Sequence, residues 1–252
     1  LLRMSFKLEQ IRRDLIANAK SSELWDLVDV YGKQLDIKLN EAMAQGVLIA
    51  EKDPLKFVAS LITSMDRNVP IILGNHQWGE SEWVLFDQLF SPAVIFGLQK
   101  STDGNQPIFK EKDQGSILIP TGGTSSDALR FAIHRWESLE AQSLMVQTFL
   151  GDKAINSICC LPLFHVSGLM QVIRAIASNG QILFSQLNEL ESASQLVAVE
   201  DFCLSLVPTQ LSRLISKGFI FEKMDKFKAI FLGGAPTSDS LLKKAKDYSL
   251  PI

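Results

Sequence analysis

Residues 121–126, Thr-Gly-Gly-Thr-Ser-Ser, follow a short apolar run that closes at Pro120, and Arg130 stands shortly after them in a second apolar run. Adjacent glycines allow positive φ angles and close backbone approach, so successive N–H groups can converge on an anion while the neighbouring hydroxyls add donors. The composition suits a polyphosphate, although taken alone it also describes a surface turn. It is not a Walker A loop, since no Gly-Lys-Ser/Thr follows the glycines, and the run holds no G-x-S-x-G nucleophile elbow. Other residues with chemical potential are His165 within Phe164-His165-Val166-Ser167-Gly168, Arg174, Thr209 after Val207-Pro208, and Gly233-Gly234-Ala235. His76 and Trp78 sit in a loop, 74–79, between an apolar run and a helical pattern; with no acidic or cysteine partner beside them, local structure is the commoner role for such residues.

These residues need a frame, and the hydrophobic periodicity supplies one. Helical spacing covers residues 7–46, broken and recapped at Ser21-Ser22, and 54–65, where Asp53 is a candidate N-cap and Pro54 occupies the first helical position. Strand-like runs follow at 69–73, 94–98, 117–119, 157–161, 181–184, 202–207 and 227–232. Helical patterns fall at 80–90, 137–150, 169–178, 189–199, 209–216 and 238–248, and residues 249–252 resemble the start of another strand. This alternation predicts an α/β fold with largely parallel sheets covered by helices on both faces. Ligands of such folds sit beyond the carboxyl ends of the strands. The glycine loop, His165, Thr209 and Gly233-Gly234 each follow a strand, so they are expected to converge on one crevice. The polar connection at 100–115 suggests a boundary, with a scaffold subdomain at 1–105 and a glycine-loop subdomain at 106–252.

With 252 residues, 46% hydrophobic, the chain can bury a substantial core. A net charge of -3 gives no basic footprint for nucleic acid or acidic membrane, so small molecules are the expected partners. No apolar run approaches the length of a membrane span and the N-terminus lacks a signal-peptide pattern, which makes the cytoplasm the expected compartment. Cys159, Cys160 and Cys203 have neither metal-ligand nor redox spacing and are expected as reduced strand residues. Oligomeric state, including a homo-oligomer, is left open.

Taken in order, TGGTSS, LPLFHVSGL, SLVPTQL and IFLGGAP, spread over residues 116–236, resemble the adenylate-forming superfamily of acyl- and aryl-CoA synthetases. The FHVSGL run with Arg174 is most similar to the o-succinylbenzoate-CoA ligases of menaquinone and phylloquinone synthesis. IPTGGTS with RFAIH and GNHQWGESEW is similar to their cyanobacterial branch. The resemblance implies an ATP-dependent acid-thiol ligase: a carboxylate attacks the α-phosphate of ATP with magnesium's help, giving an acyl-adenylate and pyrophosphate, and CoA then takes the acyl group. Catalysis of that kind rests on positioning and charge stabilisation rather than on a nucleophilic side chain.

Carried over by position, the resemblance places Thr121, Gly122, Gly123, Thr124 and Ser125 on the phosphates. The common family loop, Ser-Gly-Thr-Thr-Gly-x-Pro-Lys, is altered here at Gly123, at Ser126 and at the Pro-Lys pair, and Arg130 is the candidate substitute for the lysine. His165 is implied at the reacting carboxylate, Ser167 and Gly168 at the acyl-pocket wall, and Arg174 at the second carboxylate of o-succinylbenzoate. Thr209 is implied near the adenylate, and Gly233, Gly234 and Ala235 against the adenine or the aromatic acid. No metal ligand is implied within the chain. A Tyr-Gly-x-Thr-Glu motif, a ribose-binding Asp and a C-terminal lysine domain, all expected after residue 252, are absent, which suggests an N-terminal-domain fragment inactive by itself. Another acyl- or aryl-CoA ligase, or a non-catalytic nucleotide-binding module, is the alternative.

Overall fold

The computed structural model describes residues 6–42, 46–98, 109–121, 128–151, 153–218, 220 and 222–252. The chain forms two compact units, one of residues 1–10, 21–141 and 163–166, the other of 11–20, 142–162 and 167–252. The strand leading into the glycine loop, residues 116–120, pairs with residues 71–73, which precede residue 105.

In the first unit a five-stranded sheet has the order β3-β1-β2-β4-β5, built from β1 (Val47–Ile49), β2 (Ile71–Leu73), β3 (Val94–Phe96), β4 (Ser116–Pro120) and β5 (Phe131–Arg135). The first four are parallel and β5 is antiparallel to β4. Val47, Leu48 and Ile49 are fully buried, as expected of strands covered on both faces. Of the helices α1 (Ser21–Ala42), α2 (Pro54–Asp66) and α3 (Glu80–Leu89), α2 is buried continuously from Phe57 to Met65. Asp53 caps it, its carboxylate accepting the Lys56 N–H at 3.0 Å. α1 packs on α2, where the Thr63 hydroxyl donates to the Val28 carbonyl and Arg67 pairs with Asp36 at 2.8 Å.

The second unit holds a four-stranded parallel sheet in the order β7-β6-β8-β9, from β6 (Asn156–Cys159), β7 (Ile182–Phe184), β8 (Phe202–Leu206) and β9 (Ala229–Leu232). Alternate residues of β8 divide between the faces. Leu204 and Leu206 enter an apolar core with Leu211, Leu214 and Ile230. Its helices are α5 (Val166–Ala177), α6 (Leu190–Ser194), α7 (Pro208–Ser216) and α8 (Asp239–Asp247); α4 (Trp136–Leu150) begins in the first unit and ends in the second.

The α/β class with largely parallel sheets is as the alternation predicts, and several local expectations need correction. Among the described residues before α1 only Leu8–Gln10 is helical, as one 3-10 turn. Leu15 and Ile16 instead extend along β7: the Leu15 carbonyl accepts from Ile182 and the Ile182 carbonyl from Ala17, both at 2.8 Å. Two adjacent buried residues, Leu15 and Ile16, suit that extended edge, and the helical spacing there was coincidental. Strands β1 and β5 were not anticipated, and the helix expected over 189–199 is reduced to α6 and two 3-10 turns. Residues 249–252 form no strand, although the Pro251 carbonyl accepts the Ile230 N–H at 2.7 Å. Among the described residues no helix is long and apolar enough to cross a membrane.

Candidate functional site

The residues singled out in the sequence follow strands of both sheets. In the first unit, β4 and β5 form a hairpin whose ladder runs from Ser116–Arg135 to Pro120–Phe131. It continues one step further, because both the Thr121 amide, at 2.9 Å, and the Thr121 hydroxyl, at 3.2 Å, donate to the Arg130 carbonyl. The loop is therefore clasped at both ends, with the Thr121 and Arg130 side chains exposed at its mouth. Gly122, Gly123, Thr124 and Ser125 lie outside the described residues.

At the same carboxyl edge, β2 runs into the 74–79 loop. Trp78 is embedded in an aromatic cluster, 5.0 Å from Trp83 and 6.4 Å from Phe131 between ring centroids, which explains the tryptophan structurally. His76 is placed differently. Its ring meets Phe164 edge to face at 5.7 Å, and Phe164 in turn packs on His165 at 4.4 Å. Residues 163–166 belong to this unit, so His76, Phe164 and His165 form one group. Phe164 is buried and His165 exposed at the edge of the group. Desolvation holds both imidazoles below the usual histidine pKa, and for His76 the Lys52 ammonium adds to it. His76 carried only a weak sequence signal, since its neighbours come from residues nearly ninety positions away in the chain.

In the second unit the β6–β8 face under α5 is polar. Ser157 and Cys159 on β6 stand beside Cys203 and Ser205 on β8, and Phe231 on β9 is the register partner of Ser205. Arg174 of α5 is buried against this face. Its Nη2 donates to the Ser205 hydroxyl at 3.4 Å and its guanidinium carbon stands 5.5 Å from the centre of the Phe231 ring. No salt bridge reaches Arg174 among the described residues, and its Nε has no hydrogen-bond partner there. Gln171 Oε1, one turn earlier on α5, and Ser157 Oγ are also buried without partners. Burial lowers the Arg174 pKa, yet a guanidinium remains charged. A buried cation with an open donor is a ready site for an anion.

Gly168 is set by packing: a Cβ there would stand 2.2 Å from the Pro162 carbonyl oxygen, so only glycine allows α5 to start this close to the preceding turn. Ser167 accepts the Gln171 side-chain amide through its carbonyl at 3.2 Å. Thr209, in the first turn of α7, is exposed, as are Gly233, Gly234 and Ala235 after β9. The Gly233 amide donates to the Leu206 carbonyl at 3.1 Å, which ties the ends of β8 and β9 together, and Gly234 takes a φ of 83° that favours glycine. Thr209 and the glycines thus share the carboxyl edge of the second sheet. Burial pushes the Cys159 and Cys160 thiols up to about 12, so neither is a nucleophile. No group of three or more His, Cys, Asp or Glu side chains suited to a metal occurs among the described residues.

No family model matches the chain. It is 30% identical over 146 residues to 2-succinylbenzoate–CoA ligase of Staphylococcus aureus strain MRSA252, a match covering 57% of this chain and 29% of the relative. Among solved structures it superimposes on o-succinylbenzoate coenzyme A synthetase of Bacillus subtilis in complex with AMP, with a TM-score of 0.69 and 16% identity, over 92% of this chain and 65% of that one. The same Bacillus subtilis enzyme in complex with the acyl-adenylate intermediate OSB-AMP gives 0.70 at 16% identity, over 91% and 51%. The matched stretch spans less than a third of the curated relative's length. The chain has the α/β fold of part of the Bacillus subtilis synthetase and, over 146 residues, is similar in sequence to 2-succinylbenzoate–CoA ligase of Staphylococcus aureus.

Proposed function

We propose that the protein carrying this chain is an AMP-forming acid-thiol ligase that activates o-succinylbenzoate and passes it to CoA, within menaquinone or phylloquinone biosynthesis in the cytoplasm. A carboxylate oxygen of the acid attacks the α-phosphorus of ATP and the bond to the bridging oxygen breaks, releasing pyrophosphate. The CoA thiolate then attacks the acyl carbon and AMP leaves. Magnesium enters with the nucleotide, and no side chain of this chain is assigned to it.

The observation that carries the reading is Arg174: a buried guanidinium with no carboxylate partner among the described residues, lying beside an aromatic ring. An aromatic acid with a second, unreacted carboxylate supplies what this place lacks, since anion and guanidinium pair strongly out of water. A simple benzoate or fatty acid leaves the cation unmatched. His165, whose imidazole desolvation holds below the usual histidine pKa, is assigned to the reacting carboxylate, where an imidazolium would hold the nucleophile back as an ion pair. Ser167 and Gly168 are assigned to the acyl-pocket wall. Thr121, Gly122, Gly123, Thr124 and Ser125, with Arg130, are assigned to the phosphates, Thr209 to the adenylate, and Gly233, Gly234 and Ala235 to the flat face of adenine or acid.

The test is pyrophosphate release by the whole protein with ATP and magnesium, comparing o-succinylbenzoate with benzoate, 4-coumarate and a medium-chain fatty acid. Release confined to o-succinylbenzoate supports the proposal. Release with benzoate at an equal rate moves the assignment to a general aryl-CoA ligase, and no release with any acid favours a non-catalytic nucleotide-binding module.

A further inference from the structure

His76 occupies a place that suits neither a surface loop nor an ordinary packed core. Its ring is half-buried, and its Nδ1 is buried with no hydrogen-bond partner among the described residues. The obvious local acceptor is already engaged, because the Asn75 side-chain oxygen accepts the Gln77 N–H at 2.8 Å and the Asn75 carbonyl accepts the Trp78 N–H at 3.0 Å. If the ring served only to pack against Phe164, phenylalanine would do so without burying an unpaired nitrogen, and groups left in that state usually meet a ligand or a water in the working protein. The ring that bears this nitrogen packs on the same residue, Phe164, that carries His165.

We propose that His76 is a substrate-contacting residue of the pocket that His165 lines: its Nδ1–H donates a hydrogen bond to an oxygen of the bound aromatic acid, while its ring edge holds Phe164 against His165. This rests on the assignment of His165 to the acyl site under the proposed function. The site therefore recognises its acid through a neutral donor from the 74–79 loop in addition to the imidazole of residue 165. Carboxylate or keto oxygens both fit such a donor, whereas the alkyl chain of a fatty acid offers it nothing.

Two variants of the whole protein separate nitrogen from ring. His76→Phe keeps the edge contact with Phe164 and removes both nitrogens; His76→Asn puts an amide near the Nδ1 position and loses the ring. Steady-state pyrophosphate release should show the KM for o-succinylbenzoate raised about tenfold in His76→Phe with the KM for ATP unchanged, as expected for one lost hydrogen bond to a charged or polar oxygen. His76→Asn should stay within about threefold of the wild type, the range of a retained but imperfect bond. A wild-type KM in His76→Phe, or equal rises in both KM values in both variants, overturns the contact. Should His76→Phe fail to fold, the nitrogen NMR resonance of His76 Nδ1 in the wild type is decisive: displacement by o-succinylbenzoate supports the contact and an unmoved resonance overturns it. Wild-type protein inactive with every acid overturns the ligase reading and this contact with it, whereas an active wild type with an indifferent His76→Phe removes His76 alone.

Discussion

At Arg174 the cost of burying a cation is met, among the described residues, only by the long Ser205 hydrogen bond and the Phe231 ring, and on the proposed reading it is the residue that senses the identity of the acid. Arg174→Ala in the whole protein is expected to weaken o-succinylbenzoate binding at least about thirtyfold, the ~2 kcal/mol lower end for truncating one partner of a buried hydrogen-bonded charge pair. ATP binding, measured in parallel by calorimetry, should change little, and equal losses for both ligands count against the assignment. The two histidines make a pH prediction. Their folded-state pKa values lie below 6.5, so their contribution to stability is present above that pH and lost as pH falls through the folded values. Replacing His76 by Phe should therefore flatten the acid limb of the stability curve below pH 6.5, read as denaturant midpoints, and an unchanged limb would show that His76 is not desolvated. His165 and Arg174 stood out in the sequence because each belongs to a run with order and neighbours. The burial of Arg174 did not, since a helix with apolar residues at many positions gives no sign of which polar side chain faces the sheet.

Among the elements, the clearest case is α5, whose start is limited by the approach of Gly168 to Pro162. Gly168→Ala should destabilise the protein by about 1–3 kcal/mol, the range for inserting a methyl group where there is no room, seen as a lower unfolding midpoint. At α2, Asp53→Ala removes the carboxylate from the Lys56 amide and should cost about 1 kcal/mol. An unchanged midpoint there would show that solvent replaces the cap. Capping was legible because it is local: Asp-Pro before an apolar periodicity has few other meanings. Strand β5 was not, because Phe131–Arg135 exposes Ile133 while Phe131 and Ala132 are half-buried, so no apolar alternation marks it; its existence depends on pairing with β4. The short β1 was hidden for a related reason. Three buried aliphatic residues are too few to carry a period, and only their neighbours β2 and β3 make them a strand.

For the whole molecule, the alternation of strands and helices gave the class, and the division into two sheets was invisible to it, because every crossover looks alike in one dimension. The segment 11–20 illustrates this: it leaves the first unit to lie along β7 and then returns. Ala17→Pro, which deletes the amide that donates to Ile182, should speed hydrogen exchange at Ile182 and its β6 neighbours while leaving β1 and β2 protected. Uniform loss of protection would mean that the two units unfold as one. The same pairing has a consequence for synthesis. Asn18 meets Phe184 across 166 residues, so on the ribosome this segment emerges roughly 10 to 30 s before its partner exists, at about 5–20 residues per second. The first sheet can close behind it in that interval, whereas this segment must wait for the second sheet, and Leu15 and Ile16 are exposed to chaperones and to other nascent chains until β7 appears.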